Sequence, residues 1–265
     1  CRDAKRKGRN QVVVQNDSSA LMKRQMAELA VLARLRDTRA FGDLELAVQP
    51  ILALNDSSRL GGEILLRHRA ADGTLQSPAG LIEAAEQRGE MTNIDRWVLQ
   101  QSLEWLERNA ARFRRLDFLS LNLSANSLND EFFKTFVIAA MRKHHAVAPM
   151  VVVEINESVA MQDVFVMEKF ISALRETGAR IALDDFGSGH SNFASLSDVG
   201  ASYLKIDGQF VRSLTGQGSG NAIIRTITVL AHELGMECIA EWVEDAETLA
   251  LLKKLGADYG QGHAL

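Results

Sequence analysis

The chain contains the stretch Ile181-Ala182-Leu183-Asp184-Asp185-Phe186-Gly187-Ser188-Gly189, an apolar run with β character that ends in two carboxylates and a turn. Adjacent carboxylates at the end of a buried strand repel each other unless a cation lies beside them or one takes up a proton. Mg²⁺ and Mn²⁺ prefer oxygen ligands of this kind. The alternative is an ordinary turn, because Asp and Gly are common turn residues. Taken alone, the stretch leaves both interpretations open.

Several other apolar segments carry a polar residue at or near their end. They cover residues 60–67, 118–124, 150–157, 202–207 and 237–241, and they present Glu63, Asn122, Glu154, Lys205 and Glu241. Longer segments with helical spacing lie between them, at residues 81–106, 131–143, 164–177, 221–234 and 246–255. Some of these stop at a glycine, which is a common helix C-terminus signal. The pattern therefore predicts alternating strands and helices.

Alternating strands and helices predict a parallel sheet. With a first strand at 44–51 and a last at 258–262, the count is roughly eight, which is typical of an α/β protein with a (β/α)8 TIM-like barrel. The carboxyl ends of barrel strands converge on one mouth. We therefore expect one site to contain Glu63, Asn122, Glu154, Asp184, Asp185, Lys205 and Glu241. Because carboxylates far outnumber the single lysine, a two-metal site is the favoured interpretation.

The order of the motifs resembles the EAL-domain family, whose members hydrolyse cyclic di-GMP to linear pGpG. The resemblance covers about residues 41–265 and includes Gln49-Pro50-Ile51, Glu63-Ile64-Leu65, Asn122-Leu123-Ser124, Glu154-Ile155-Asn156-Glu157-Ser158, the loop from Asp184 to Gly189, Leu204-Lys205-Ile206-Asp207, Ala240-Glu241-Trp242-Val243-Glu244 and Gln261-Gly262. Ile64 departs from the alanine of the naming motif, with an expected effect on packing rather than coordination. Trp242 replaces a glycine of the family, and the sequence leaves the position of its ring open.

The resemblance also implies roles for individual residues. It implies a first metal held by Glu63, Asn122, Glu154 and Asp184, and a second held by Asp184, Asp185 and Glu241. Mg²⁺ or Mn²⁺, two per site, are the implied cofactors. The implied catalytic residues are Lys205, Glu241, Glu63 and Glu157, with Lys205 orienting or deprotonating water and Glu157 anchoring the loop after Asp185. The implied substrate contacts are Gln49, Arg67, Gln261 and Glu244.

The start of the chain carries a separate resemblance. Residues 1–15 resemble the C-terminal tail of a GGDEF domain, although a basic solvated segment or a nucleic-acid-binding arm is the alternative. Residues 16–40 are predicted to form an amphipathic linker helix, with Met22, Met26 and Leu29 on one face. Residues 41–265 would then form the EAL domain, with its final helix expected beyond Leu265. The parent protein would therefore carry upstream GGDEF and sensor domains.

The composition fits a large, soluble, cytoplasmic domain. The chain has 265 residues, of which 46% are hydrophobic, and a formal net charge of −4. It has no apolar run long enough to span a membrane, so any anchor of the parent protein would lie in segments outside this chain. The expected partners are cyclic di-GMP and a second copy of the chain that pairs through the barrel. No nucleic acid polymer is expected as a partner.

Three functions fit the resemblance to different degrees. The first is a cyclic-di-GMP phosphodiesterase, and the second is a weak or inactive EAL domain that acts as a cyclic-di-GMP receptor or regulatory module. The third, another metal-dependent barrel hydrolase, has little support because the motif order is so particular. Receptor-type domains typically lose one or more metal-binding acids. Because every matched position here keeps its ligand, the sequence favours the enzyme.

Overall fold

The fold is taken from a computed structural model, which describes residues 42–70, 72–162, 164–187, 196–197, 199–214 and 220–265. Its strands are β1 Leu44–Ala53, β2 Leu60–Arg69, β3 Leu75–Gln76, β4 Leu116–Asn122, β5 Val151–Asn156, β6 Arg180–Phe186, β7 Tyr203–Ile206, β8 Glu237–Ala240 and β9 Tyr259–Gly260. Its helices are α1 Ala79–Arg88, α2 Met91–Asn109, α3 Ala125–Leu128, α4 Glu131–Lys143, α5 Glu157–Ala160, α6 Val164–Arg175, α7 Gly208–Arg212, α8 Gly220–Glu233 and α9 Ala246–Leu255. The predictions for residues 1–15 and 16–40, and for Ser188 and Gly189, fall outside the described residues.

The strands form one sheet in the order β1-β9-β8-β7-β6-β5-β4-β2-β3. An additional pairing between β1 and β2 closes eight of these strands into a barrel, and β3 pairs only with the edge of β2. The barrel predicted from the alternation of strands and helices is therefore confirmed.

The sheet departs from the predicted parallel arrangement at its first strand. β1 runs antiparallel to both β2 and β9, with Gln49 opposite Glu63 in the register. Only a short turn joins β1 to β2, whereas a parallel connection needs a crossover of roughly a dozen residues or more. The antiparallel strand still brings Gln49 to the inner wall beside Glu63.

The helices follow the predicted segments with one correction. The segment at 81–106 is two helices, because Gly89 takes a left-handed conformation (φ 69°) and ends α1 before α2 begins. The predicted glycine stops are confirmed at Gly178, Gly235 and Gly256, which all have positive φ. In the described part of the chain, no helix combines the length and the apolar character needed to cross a membrane.

An aromatic layer fills the lower half of the barrel. The rings of Phe118, Tyr203 and Tyr259 are buried, with centroids 4.8–6.0 Å apart. A Cβ atom at Gly61 would overlap the Phe118 ring, so only glycine fits at this position of β2. The Arg180 guanidinium stacks over Phe118 and Tyr203. The barrel is thus filled by side chains at its floor and is not an open channel.

Candidate active site

A single lysine lies at the centre of the barrel mouth. Lys205, on β7, has only 1% of its surface exposed. Its Nζ atom lies 2.8 Å from Glu154 Oε2, 2.8 Å from Glu241 Oε1, 3.2 Å from Asp184 Oδ1 and 3.4 Å from Glu63 Oε2. Four different strands or strand ends supply these carboxylates. The structure therefore brings together the acidic residues that the sequence placed at strand ends.

Strand register brings Asn122 into the same cluster. Asn122 ends β4 and lies opposite Glu154 of β5 in the parallel ladder. Its side-chain amide donates to Glu63 Oε1 at 2.8 Å. Because inward-facing residues alternate along a strand, Asn122 and Glu154 reach the mouth from neighbouring strands at the same height. The amide thus orients the carboxylate of Glu63.

Asp185 reaches the mouth through an unusual backbone conformation. Two consecutive strand residues normally point to opposite faces. Asp185 has φ 57°, and the pairing of β6 with β7 shifts register between Leu183 and Phe186. A carboxylate oxygen of Asp185 consequently lies within 4.8 Å of ligand oxygens on Asp184 and Glu241. The adjacent acids therefore serve one site.

Asn156 is a site residue that the sequence analysis quoted only as part of a motif. Its Nδ2 donates to Asp185 Oδ2 at 2.7 Å, and its Oδ1 accepts from the amide and hydroxyl of Ser158. Asn156 follows Glu154 by two positions at the end of β5, so strand alternation places both on one face. That spacing could have identified it from the sequence.

The cluster is short of positive charge. Burial and the neighbouring charges of Glu63 and Asp184 raise the pKa of Glu154 to about 8, against the opposing effect of Lys205. Burial and the charge of Asp184 similarly raise the pKa of Glu241 to about 7. Burial alone would lower the pKa of Lys205, but the surrounding carboxylates raise it above its usual range. Lys205 is therefore firmly cationic and still does not neutralise its neighbours.

Unpartnered buried oxygens show what the site would accept. Glu154 Oε1 is buried and has no hydrogen-bond partner among the described residues, and Asp184 Oδ1 is paired to Lys205 by charge without a hydrogen bond. Native proteins rarely leave such atoms unsatisfied unless they bind water or an ion. Hard cations such as Mg²⁺ and Mn²⁺ take carboxylate and amide oxygens. The donor set at the mouth therefore fits divalent cations.

A cavity of about 600 Å³ opens beside the cluster. All four predicted substrate contacts line it, together with two of the acids: Gln49, Arg67, Gln261, Glu244, Glu63 and Glu241. Gln261 Nε2 donates to Glu63 Oε2 at 2.6 Å and lies 3.2 Å from Gln49 Oε1. The glutamine pair thus connects the cavity wall to a predicted metal ligand.

Glu157 lies one layer behind the acids. It begins α5, is buried, and its Oε2 accepts a hydrogen bond from the backbone amide of Gly187 at 3.0 Å. Gly187 is the last described residue before 188–195. The carboxylate of Glu157 is therefore placed to hold the start of the segment that follows Asp185.

Ile64 lies away from the site. Its side chain is 6% exposed and packs in the main hydrophobic core outside the barrel wall. Glu63 points inward at the preceding position. The substitution of isoleucine for alanine in the naming motif therefore changes packing behind the strand, which agrees with the prediction.

The eight-stranded barrel with its acidic, lysine-centred mouth defines this chain as an α/β-barrel protein. The profile of the EAL domain matches residues 32–265, and the chain belongs to the EAL-domain family. This finding confirms the resemblance drawn from the motifs.

Named relatives and solved structures support the assignment. The chain is 33% identical over 266 residues to "Cyclic di-GMP phosphodiesterase PdeB" of Shewanella oneidensis, a match that covers 100% of this chain and 31% of that protein. The FimX EAL domain from Pseudomonas aeruginosa bound to c-di-GMP has a TM-score of 0.78 and 28% identity, covering 89% of this chain and 94% of that chain. The PaMucR phosphodiesterase in its c-di-GMP complex has a TM-score of 0.76 and 30% identity, covering 88% and 94%. The chain spans about a third of the length of PdeB.

Proposed function

We propose that this chain is a metal-dependent phosphodiesterase that hydrolyses cyclic di-GMP to linear pGpG. The observation that carries the proposal is the group of four carboxylates around Lys205, two of which, Glu63 and Glu241, line a cavity that also contains Arg67. The names of PdeB and PaMucR supply the substrate class, since both are called phosphodiesterases and PaMucR is described in complex with cyclic di-GMP.

The residues of the chain divide the reaction between binding and chemistry. Mg²⁺ or Mn²⁺, two per site, would lower the pKa of water and stabilise charge at phosphorus. Glu63, Asn122, Glu154, Asp184, Asp185 and Glu241 would hold these cations. Lys205 would orient the attacking water and donate to developing negative charge, and Glu157 would keep the loop after Asp185 in place. The acids at the mouth repel an anionic substrate, so its binding needs a cation nearby. Arg67 would supply that cation and bind a phosphate through its planar guanidinium. Gln49, Gln261 and Glu244 would contact the rest of the dinucleotide.

A cyclic-di-GMP receptor is the second candidate. The observation that favours it is the FimX EAL domain, a structure of the same fold described as bound to c-di-GMP. A receptor would bind the dinucleotide without converting it. Product formation therefore distinguishes the two candidates.

The wider setting of the chain is also a proposal. We infer that the chain pairs with a second copy through the barrel and that GGDEF and sensor domains precede it in a cytoplasmic signalling protein. The matched share of PdeB, which leaves about two thirds of that protein outside the alignment, supports the part of this proposal that concerns further domains.

Hydrolysis is expected to depend on divalent cations. The purified chain should convert cyclic di-GMP to pGpG with Mg²⁺ or Mn²⁺, lose activity with a chelator, and recover when the cation is restored. Ca²⁺ should inhibit, because its looser coordination shell would misplace the attacking water. Chromatographic separation of the products measures the outcome. Full activity in excess chelator would reject the metal-dependent mechanism, and binding without product would favour the receptor.

Arg67→Ala is expected to weaken substrate affinity more than turnover. The side chain lines the cavity and would bind a phosphate before reaction, so its loss should cost about 1.5–3 kcal/mol, as for a charge-assisted hydrogen bond. Calorimetric titration with Ca²⁺ in place of Mg²⁺ gives the dissociation constant. Arg69→Ala is the control, because Arg69 lies two positions later on β2 and pairs with Glu45. Equal affinity in wild type and Arg67→Ala would contradict the assignment.

A further inference from the structure

Trp242 occupies a backbone position that disfavours any side chain. It directly follows Glu241 after strand β8 and has φ 56°. Among the described residues, Asp185 is the other non-glycine residue with positive φ. Such conformations are strained for residues other than glycine and concentrate at functional sites. A glycine would adopt this conformation without strain, so the presence of a tryptophan here suggests a function for its side chain.

The indole ring contacts two residues of helix α7. A Cβ atom at Gly208 would overlap the ring, so the absence of a side chain there makes the seat. The guanidinium carbon of Arg212 lies 4.1 Å from the ring centroid, in a cation–π arrangement. A glycine and an arginine four positions apart on one short helix thus locate the ring. The ring is held in place rather than loosely attached.

The seated ring remains accessible at the mouth of the cavity. Trp242 is 51% exposed and lines the cavity together with Gln49, Arg67 and Gln261. The ring is therefore fixed by its contacts with α7 while about half of the residue's surface stays open to a molecule in the cavity. The cavity therefore combines Arg67, a cation suited to phosphate, with the fixed aromatic surface of Trp242.

We propose that Trp242 is a stacking platform for one purine base of the cyclic dinucleotide and that it strengthens substrate binding. The proposal rests on the function proposed above. Base–aromatic stacking is effective without charge, which suits a mouth crowded with carboxylates. Trp242 would act before the chemical step, because the base itself does not react. It is therefore a specificity-determining residue rather than a group that takes part in hydrolysis.

Affinity is the first measurement. Trp242→Leu keeps an apolar side chain under the same backbone strain but has no aromatic face, whereas Trp242→Phe keeps a smaller one. We expect the dissociation constant for cyclic di-GMP, measured in Ca²⁺, to rise about 5–150-fold in Trp242→Leu, the range of lost base stacking. Trp242→Phe should retain most of the affinity. KM should rise in parallel in Trp242→Leu with Mg²⁺, while kcat at saturation stays near the wild-type value.

Fluorescence of the unaltered residue is the second measurement. The chain has three tryptophans, and Trp97 and Trp105 line a different groove, beside the outer face of β1. In a Trp97→Phe, Trp105→Phe background, Trp242 is the only remaining tryptophan and gives all the indole fluorescence. We expect cyclic di-GMP to quench this emission with the same dissociation constant that calorimetry gives. This measurement decides the matter even if Trp242→Leu folds poorly, because it leaves Trp242 unchanged.

The outcomes separate this inference from the function on which it rests. Absence of binding by the wild-type chain would overturn both. Normal wild-type binding with equal affinity in a folded Trp242→Leu variant, or with no change in Trp242 emission, would overturn the platform and leave the proposed phosphodiesterase intact. Weakened binding with preserved kcat, together with quenching, would support the platform.

Discussion

Asp184→Asn is expected to reduce cyclic-di-GMP hydrolysis on the order of 10³-fold or more, the size seen when a central catalytic group is lost. Asp184 lies 3.2 Å from the Lys205 ammonium and offers an oxygen within 4.8 Å of those of Asp185 and Glu241. Asparagine has the same shape but loses the charge and one of the two acceptor oxygens. Both predicted cation sites would therefore be weakened together. Calorimetric titration with Mn²⁺ and product chromatography measure the two effects.

Asp117→Asn is the matched control for this change. Asp117 is also a barrel aspartate, but it lies at the opposite end, where it pairs with Arg59 and Arg180. Arg59 retains its contact with Glu237 in the variant. We expect Asp117→Asn to keep hydrolysis within about threefold, since it weakens two partly exposed ion pairs that lie away from the mouth. Hydrolysis by Asp184→Asn at the level of this control would contradict the assignment of Asp184 as a metal ligand.

The sequence was sufficient to predict the barrel and most of its mouth. Glu154, Asp184 and Lys205 each occupy the end or interior of a short apolar strand, and parallel strands converge at one edge. Strand alternation then determines which side chains face inward. These are local regularities, and they recur along the chain. They therefore identified the cluster before any distance was known.

Other features depend on three-dimensional contacts that no local pattern encodes. The antiparallel direction of β1 follows from the short connection to β2 and from the closure of the barrel. The shared orientation of Asp184 and Asp185 follows from the left-handed backbone of Asp185 and the register shift beside it. The position of Trp242 depends on a glycine more than thirty residues earlier, Gly208. Sequence spacing gives no access to such pairings.

Lys205→Met is expected to lower turnover by roughly 10²–10⁴-fold while changing substrate affinity much less. Methionine keeps an unbranched stem of similar length as far as Cε and removes the charged Nζ group. Lys205 touches four carboxylates and belongs to the chemical step in the proposed mechanism, whereas Arg67 belongs to binding. Steady-state kinetics with Mg²⁺, and affinity measured in Ca²⁺, separate the two quantities.

Lys205 also stabilises the metal-free protein. Removing one partner of a buried ion pair typically costs 3–5 kcal/mol, so about that loss is expected in the free energy of unfolding without metal. Divalent cations supply the missing positive charge, and Mg²⁺ or Mn²⁺ should therefore recover much of the stability but not the turnover. Melting curves with and without cation measure this difference. The combination of restored stability and lost turnover would be specific to a catalytic lysine.

Lys134→Met provides the comparison for a buried lysine outside the site. Lys134 lies on helix α4, is 6% exposed, and pairs with Glu131. Its replacement should lower the melting temperature, and Mg²⁺ should not restore it. Turnover should stay near the wild-type value, because helix α4 does not contribute to the mouth. If Lys205→Met behaves in the same way, with a lower melting temperature and normal turnover, Lys205 is a structural partner of the acids and its catalytic role is rejected.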